Sequence, residues 1–132
     1  MSLDYHELPD GVHGWLFLPV VMVYDLPLKD RPFELFREAH FYSVVAGRWI
    51  TIPKSYRTDY FSIPRPWRWI FNRVGRGRNS ALLHDWLCDS RPPWCDYKLA
   101  ADIFEEAMQM SGVRSWRVKE YTWAVKRFGP RF

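Results

Sequence analysis

Apolar and polar positions divide this chain near Pro64, with strand-like spacing before it and helix-like spacing after it. Residues 15–24, WLFLPVVMVY, are the longest apolar run and predict a buried strand bent at Pro19. The preceding residues 1–14 are polar, contain Pro9, Gly11 and Gly14, and read as an arm. Asp25 to Pro32 carries two prolines and four charges, which suits a turn. Over residues 33–46, Phe33, Leu35, Arg37, Ala39, Phe41 and Ser43 alternate with Glu34, Phe36, Glu38, His40, Tyr42 and Val44. That period of two, rich in aromatic and β-branched residues, predicts a strand. Ala46-Gly47-Arg48 is a turn into a second strand, Trp49–Ile52, completing a hairpin. A short extended piece follows at Tyr56–Asp59.

Beyond Pro64 the spacing predicts a short helix at Trp67–Val74 and a second from a cap at Asn79 or Ser80 to about Asp89. A third runs over about 97–111, with Asp96 as N-cap and Gly112 just past its end. The last runs from a cap at Ser115 to Phe128, ended by Gly129-Pro130. In the third helix Leu99, Ile103, Ala107 and Met110 form one apolar stripe beside Ala100 and Phe104, with Asp102, Glu105, Glu106 and Gln109 opposite. In the last, Val118, Tyr121, Ala124, Val125 and Phe128 form the core face, and Trp116 and Trp123 fall together on the other side. Strands first and helices afterwards imply an α+β fold: an N-terminal antiparallel sheet with a hairpin, and three to four helices packed on one face. At 132 residues the chain fits one domain, 1–132, with strands mainly in 15–60 and helices mainly in 65–128.

Composition adds two facts to this picture. Aromatic residues make up 18% of the chain, enough to fill a core with few residues and to leave rings for a partner. Of the 19 basic residues only five are Lys, and the net charge is +4. Arginine suits phosphate or carboxylate partners, but also packs flat over rings, and packing takes the larger share here. Cys88 and Cys95 read as two reduced thiols rather than a bridge. No signal peptide is visible, and the longest apolar run is too short to span a bilayer, so no membrane insertion is expected.

Candidate chemistry gathers in two places. His84 and Asp85 are neighbours on a predicted helix and diverge by about 100°. They can converge on a divalent metal between them if Asp59, Asp102 or His40 completes the set, a mixture of imidazole and carboxylate that such ions favour. On that reading His84, Asp85 and Asp59 are catalytic, and Asp59, His84, Asp85 and Asp102 hold the ion of a phosphoesterase-like hydrolase. The bland alternative is a hydrogen-bonded junction of strand and helix. The second place is Arg65, Arg68, Arg73, Arg76 and Arg78, interleaved with Trp67, Trp69 and Phe71 and free of acids from Tyr60 to Leu83. Charge for phosphates and rings for bases would suit a nucleotide or nucleic acid. A solvated basic face with buried tryptophans is the simpler account. Cys88 lies one turn from His84 and reads as a buried thiol.

Several motifs in order resemble a family of small phage and prophage proteins catalogued as domain of unknown function 1353. They are Ile50-Thr51-Ile52-Pro53, Tyr56-Arg57-Thr58-Asp59-Tyr60-Phe61-Ser62-Ile63-Pro64, Ala81-Leu82-Leu83-His84-Asp85-Trp86-Leu87, Ala101-Asp102-Ile103-Phe104, Ala107-Met108 and Ala124-Val125-Lys126-Arg127-Phe128-Gly129. The family pattern usually has a small residue at Phe61 and a tyrosine at Cys88. The resemblance implies a phage or prophage origin, a strand-then-helix domain and a polar signature of Thr58, Asp59, Ser62, His84, Asp85 and Asp102, without supplying an activity. The first expectation is therefore an accessory or virion-associated protein, in the host cytoplasm or the particle. It would meet a phage or host protein through Trp116 and Trp123. Metal-dependent hydrolysis and nucleotide or nucleic-acid binding are the alternatives.

Overall fold

A computed structural model describes residues 14–24, 31, 33–58 and 78–132. Among them the chain forms strands β1 (Gly14–Trp15), β2 (Val21–Val23), β3 (Phe33–Leu35), β4 (Ala39–Ser43), β5 (Arg48–Ile52) and β6 (Arg57–Thr58). Helices α1 (Arg78–Ser90), α2 (Tyr97–Met110) and α3 (Ser115–Phe128) follow. The fold is α+β, with every described strand pair antiparallel. The predicted helix at Trp67–Val74 and nearly all of the N-terminal arm lie outside the described residues.

The strands make two small sheets, ordered β1-β4-β5 and β2-β3-β6. This splits both long strands expected from the sequence. The apolar run 15–24 begins in the first sheet, where Leu16 N donates to the His40 carbonyl, and ends in the second, where Phe36 N donates to the Val20 carbonyl. Pro19 has no N–H to offer a ladder, so the changeover falls beside it. Phe17 and Leu18 in that crossing are 75% and 73% exposed, so the run is not the buried strand that its composition implies. Likewise residues 33–46 bend at Phe36-Arg37 into β3 and β4. The period of two survives the bend: Leu35, Ala39, Phe41 and Ser43 are all buried. The hairpin stands as expected, with Phe41 opposite Ile50 and Gly47 at φ +66° in the turn. Glycine takes that left-handed conformation without a Cβ clash.

Helix α1 is buried from Ser80 to Cys88 except at half-buried Trp86. Asn79 and Ser80 lie inside it and do not cap it. Helix α2 is capped as predicted, the Asp96 carboxylate accepting from Leu99 N at 2.8 Å, and Gly112 follows its C-cap at φ +78°. Ala100, Ala101 and Ala107 let neighbours approach closely, so α2 sits between α1 and α3. The buried arc of α2 is consequently wider than an amphipathic stripe. It includes Ala101, Met108 and Glu106, while Met110 at the helix end is exposed. Helix α3 has Arg114, not Ser115, at its N-cap, and Phe128 is 58% exposed, outside the core face that its spacing suggested.

Glu106 is the clearest departure from the helical pattern. Its carboxylate is buried and accepts from Ser43 Oγ at 2.6 Å, Val44 N at 2.8 Å and Val45 N at 3.4 Å. Ser43 Oγ accepts in turn from Ala46 N at 3.0 Å. The acid thus supplies the acceptors that the β4–β5 turn lacks and fixes that turn to α2. Glu106→Leu, although more apolar, should destabilise the fold by roughly 1–3 kcal/mol, because the buried Ser43 hydroxyl and the partly buried Val44 and Val45 amides lose their acceptor. Glu106→Gln, which keeps one oxygen, should cost about half as much. Urea-unfolding midpoints of the three proteins check this.

Candidate functional site

Two members of the polar signature, Thr58 and Asp85, meet where β6 packs on α1. A strand advances about 6.6 Å over two residues, and a helix advances about 6 Å over four. Tyr56 and Thr58 are two apart on the strand side, and Asp85 and Asp89 are four apart on α1. The two repeats therefore match, and the pairs form two rungs. Thr58 Oγ1 donates to Asp85 Oδ2 in the interior, and Tyr56 Oη donates to Asp89 Oδ2 at 2.7 Å near the surface. Arg31 extends the outer rung, reaching Asp89 Oδ2 at 2.8 Å and the Arg57 carbonyl at 3.2 Å, while Arg57 Nε returns a bond to the Arg31 carbonyl at 3.1 Å. Burial, with Asp85 and Asp89 close by, pushes the Tyr56 phenol far above its ordinary 10, so it remains a donor across the working pH range.

His84 faces away from these rungs. It is 3% exposed, its ring lies 5.2 Å from that of Phe104, and Cys88 Sγ is 3.8–3.9 Å from its nitrogens. Burial lowers its pKa from 6.5 to about 4. Burial, then the charges of Asp85, Asp89 and Cys95, raises the Cys88 thiol to about 12. At neutral pH both groups are uncharged, the reverse of the thiolate and imidazolium that a nucleophilic cysteine needs. Cys88 and Cys95 are free thiols, as expected, and burial then Asp96 raises Cys95 to about 11.

The other candidates are dispersed. Asp102 points to the surface and pairs with Lys126 of α3 at 2.9 Å, each side chain nearly half exposed. His40 lies on β4 with Nδ1 2.9 Å from Thr51 Oγ1 and Nε2 2.9 Å from Glu38. Among the described residues, no three His, Cys, Asp or Glu side chains are placed to share a metal ion. Asp59, Ser62, Arg65, Trp67, Arg68, Trp69, Arg73 and Arg76 lie outside the described residues, and Arg78 opens α1. No described helix is long and apolar enough to cross a membrane. Tyr56, Asp89 and Glu106 were not singled out by spacing. The four-residue interval from Asp85 to Asp89 was a usable signal for Asp89. Glu106 carried none, because it sits at the edge of the polar face of α2.

The sequence model of a family described as Protein of unknown function (DUF1353) matches residues 33–125, from β3 almost to the end of α3. The chain belongs to this family. No curated protein and no solved structure matches it. In this DUF1353 member both rungs of the β6–α1 junction and the Glu106 anchor fall within the matched residues, whereas β1 and β2 precede them.

The two rungs should differ in energy. Thr58→Val removes a donor from the buried Asp85 carboxylate and should cost about 2 kcal/mol, whereas Tyr56→Phe at the wetter rung should cost about 1 kcal/mol or less. Chemical denaturation of each variant at pH 7 measures both. His84 makes a separate prediction. Its folded pKa lies below its unfolded value, so its neutral form contributes in full above pH 6.5 and that contribution is lost as pH falls towards 4. The loss amounts to roughly 3 kcal/mol over the whole window. His84→Leu should flatten the stability profile between those limits, as read from urea midpoints at pH 7 and 4.5 for both proteins.

Proposed function

We propose that this chain acts by binding another protein, as an accessory or virion-associated component of a phage or prophage, and that its Thr58, Asp85 and His84 cluster is structural. The host cytoplasm or the particle would then be its place of action. The supporting observation is the outer face of α3. Trp116 and Trp123, seven residues apart, are each 56% exposed and lie opposite the buried Val118, Tyr121 and Val125. Trp123 meets Phe128 edge-to-face at 5.6 Å, and Arg117 lies over the Trp116 ring at 4.6 Å. Tryptophan and arginine are the side chains that most often anchor protein interfaces. Exposed Lys119, Glu120 and Arg127 border the rings, which suits a partner with an apolar groove and a rim of mixed charge.

Two alternatives have less support. A metal-dependent hydrolase needs Asp59, His84, Asp85 and Asp102 around one accessible ion, and the apolar burial of His84 and the outward pairing of Asp102 oppose this. Nucleotide or nucleic-acid binding through Arg65–Arg78 rests on residues almost wholly outside those described.

A photo-crosslinking residue at Trp123, introduced in the producing host, should yield one discrete adduct identifiable by mass spectrometry. The same residue at exposed Lys54 should not. Trp116→Ala with Trp123→Ala should change stability by no more than about 1 kcal/mol, yet weaken the captured partner's binding by 2 kcal/mol or more. No adduct at Trp123, or undiminished binding by the double variant, would overturn the reading.

A further inference from the structure

A second surface lies around the loop joining α1 to α2. Four cations rest there on aromatic rings: Arg48 over Trp94 at 4.4 Å, Arg91 over Phe132 at 5.3 Å, and Arg131 and Lys98 over Tyr97 at 4.4 and 5.9 Å. The patch is continuous, because Tyr97 N donates to the Phe132 carbonyl at 3.1 Å and Trp94 lies in the same loop as Arg91 and Tyr97. Arg91, Lys98 and Arg131 are exposed, and Arg48 is half-buried. Among the described residues none of the four pairs with a carboxylate. Asp96 is the only acid between Ser90 and Leu99, and its carboxylate accepts from Leu99 N.

The rings back the three guanidinium groups. Arg91 Nε donates to the Cys88 carbonyl and one Arg131 amino group to the Arg127 carbonyl at 3.4 Å, and the remaining N–H groups are left for an acceptor. The cations are spread over three rings, an arrangement that fits a repeating phosphate charge. A guanidinium backed by a ring also offers its outer face to a flat base. We infer that Arg48, Arg91, Lys98 and Arg131 form a binding surface for a single-stranded nucleic acid, held through its phosphates and stacked on guanidinium planes. None of these four residues belongs to the tryptophan pair of α3 or to the Arg65–Arg78 stretch.

The test is fluorescence anisotropy of a labelled oligodeoxythymidine strand, titrated at stepped salt concentrations. Wild type should bind, with affinity falling steeply as salt rises. The triple variant Arg48→Gln, Lys98→Gln, Arg131→Gln should bind at least tenfold more weakly and lose roughly 2 from the logarithmic salt slope, about 0.7 for each phosphate contact removed. Arg91 is left intact because its Nε also bonds the Cys88 carbonyl at 3.1 Å. Arg48→Lys with Arg131→Lys keeps the charge and removes the planes, so it should weaken binding with little change in slope. It also provides a readout should the triple variant fail to fold. Four results overturn the inference: no binding at low salt, wild-type affinity in both variants, tighter binding of polyglutamate or phosphatidylserine vesicles than of the strand, or binding abolished only by Arg76→Gln with Arg78→Gln.

Discussion

Helix α1 is buried from Ser80 to Cys88 except at Trp86, so its buried ionisable groups must find a partner within the protein or be kept neutral. That constraint organises the structure. Asp85 and Asp89 meet it through Thr58 and Tyr56, in rungs made possible by the near-equality of two strand steps and four helix steps. His84 meets it by staying uncharged against Phe104 and Cys88. The rungs add to the short pairing with β3 that holds β6.

Glu106 applies the same physics to the other sheet. Its carboxylate collects the hydroxyl and amide donors of the β4–β5 turn, so α2 is joined to the first sheet as α1 is joined to the second. Both sheets are small and their strands short, and neither would be secure alone. Acidic side chains on helices, accepting from strand ends and turns, complement the apolar core formed by Leu35, Phe41, Ile50, Ile52, Leu83, Ile103 and Phe104. Hydrogen bonding of this kind is directional, so it sets the angle and register of helix on sheet in a way that apolar contact does not.

The surface follows a different rule. Part of the arginine excess is laid over aromatic rings away from either proposed face: Arg57 lies over Tyr24 and Arg37 over Phe36. Packing of guanidinium on rings explains the composition without requiring a ligand at every arginine. The two faces proposed for binding stand apart from that background for separate reasons. On α3 the tryptophans themselves remain half open. At the α1–α2 loop the cations have rings behind them and, among the described residues, no carboxylate within ion-pair distance.

Local signals in the sequence were sufficient for the hairpin, for the Asp96 cap and Gly112 end of α2, for the extent of α3, and for the outward placement of Trp116 and Trp123. Each depends on residues close in the chain and on the periods of helix and strand. The family motifs named Thr58, Asp59, Ser62, His84, Asp85 and Asp102 together; of these Thr58 and Asp85 meet, His84 faces Phe104, Asp102 lies on the surface, and Asp59 and Ser62 are outside the described residues. The sequence could not show that residues 15–24 and 33–46 each divide between two sheets, because alternation is identical on both sides of a bend. It placed Glu106 with the solvated residues and Phe128 with the core, because a helical wheel knows the spacing of side chains but not which elements surround them. The tertiary structure decided whether His84 and Asp85 would face one another, an ion or separate neighbours. Adjacent helical residues diverge by about 100°, and only the arrival of β6 on one side and Phe104 on the other gives each its partner.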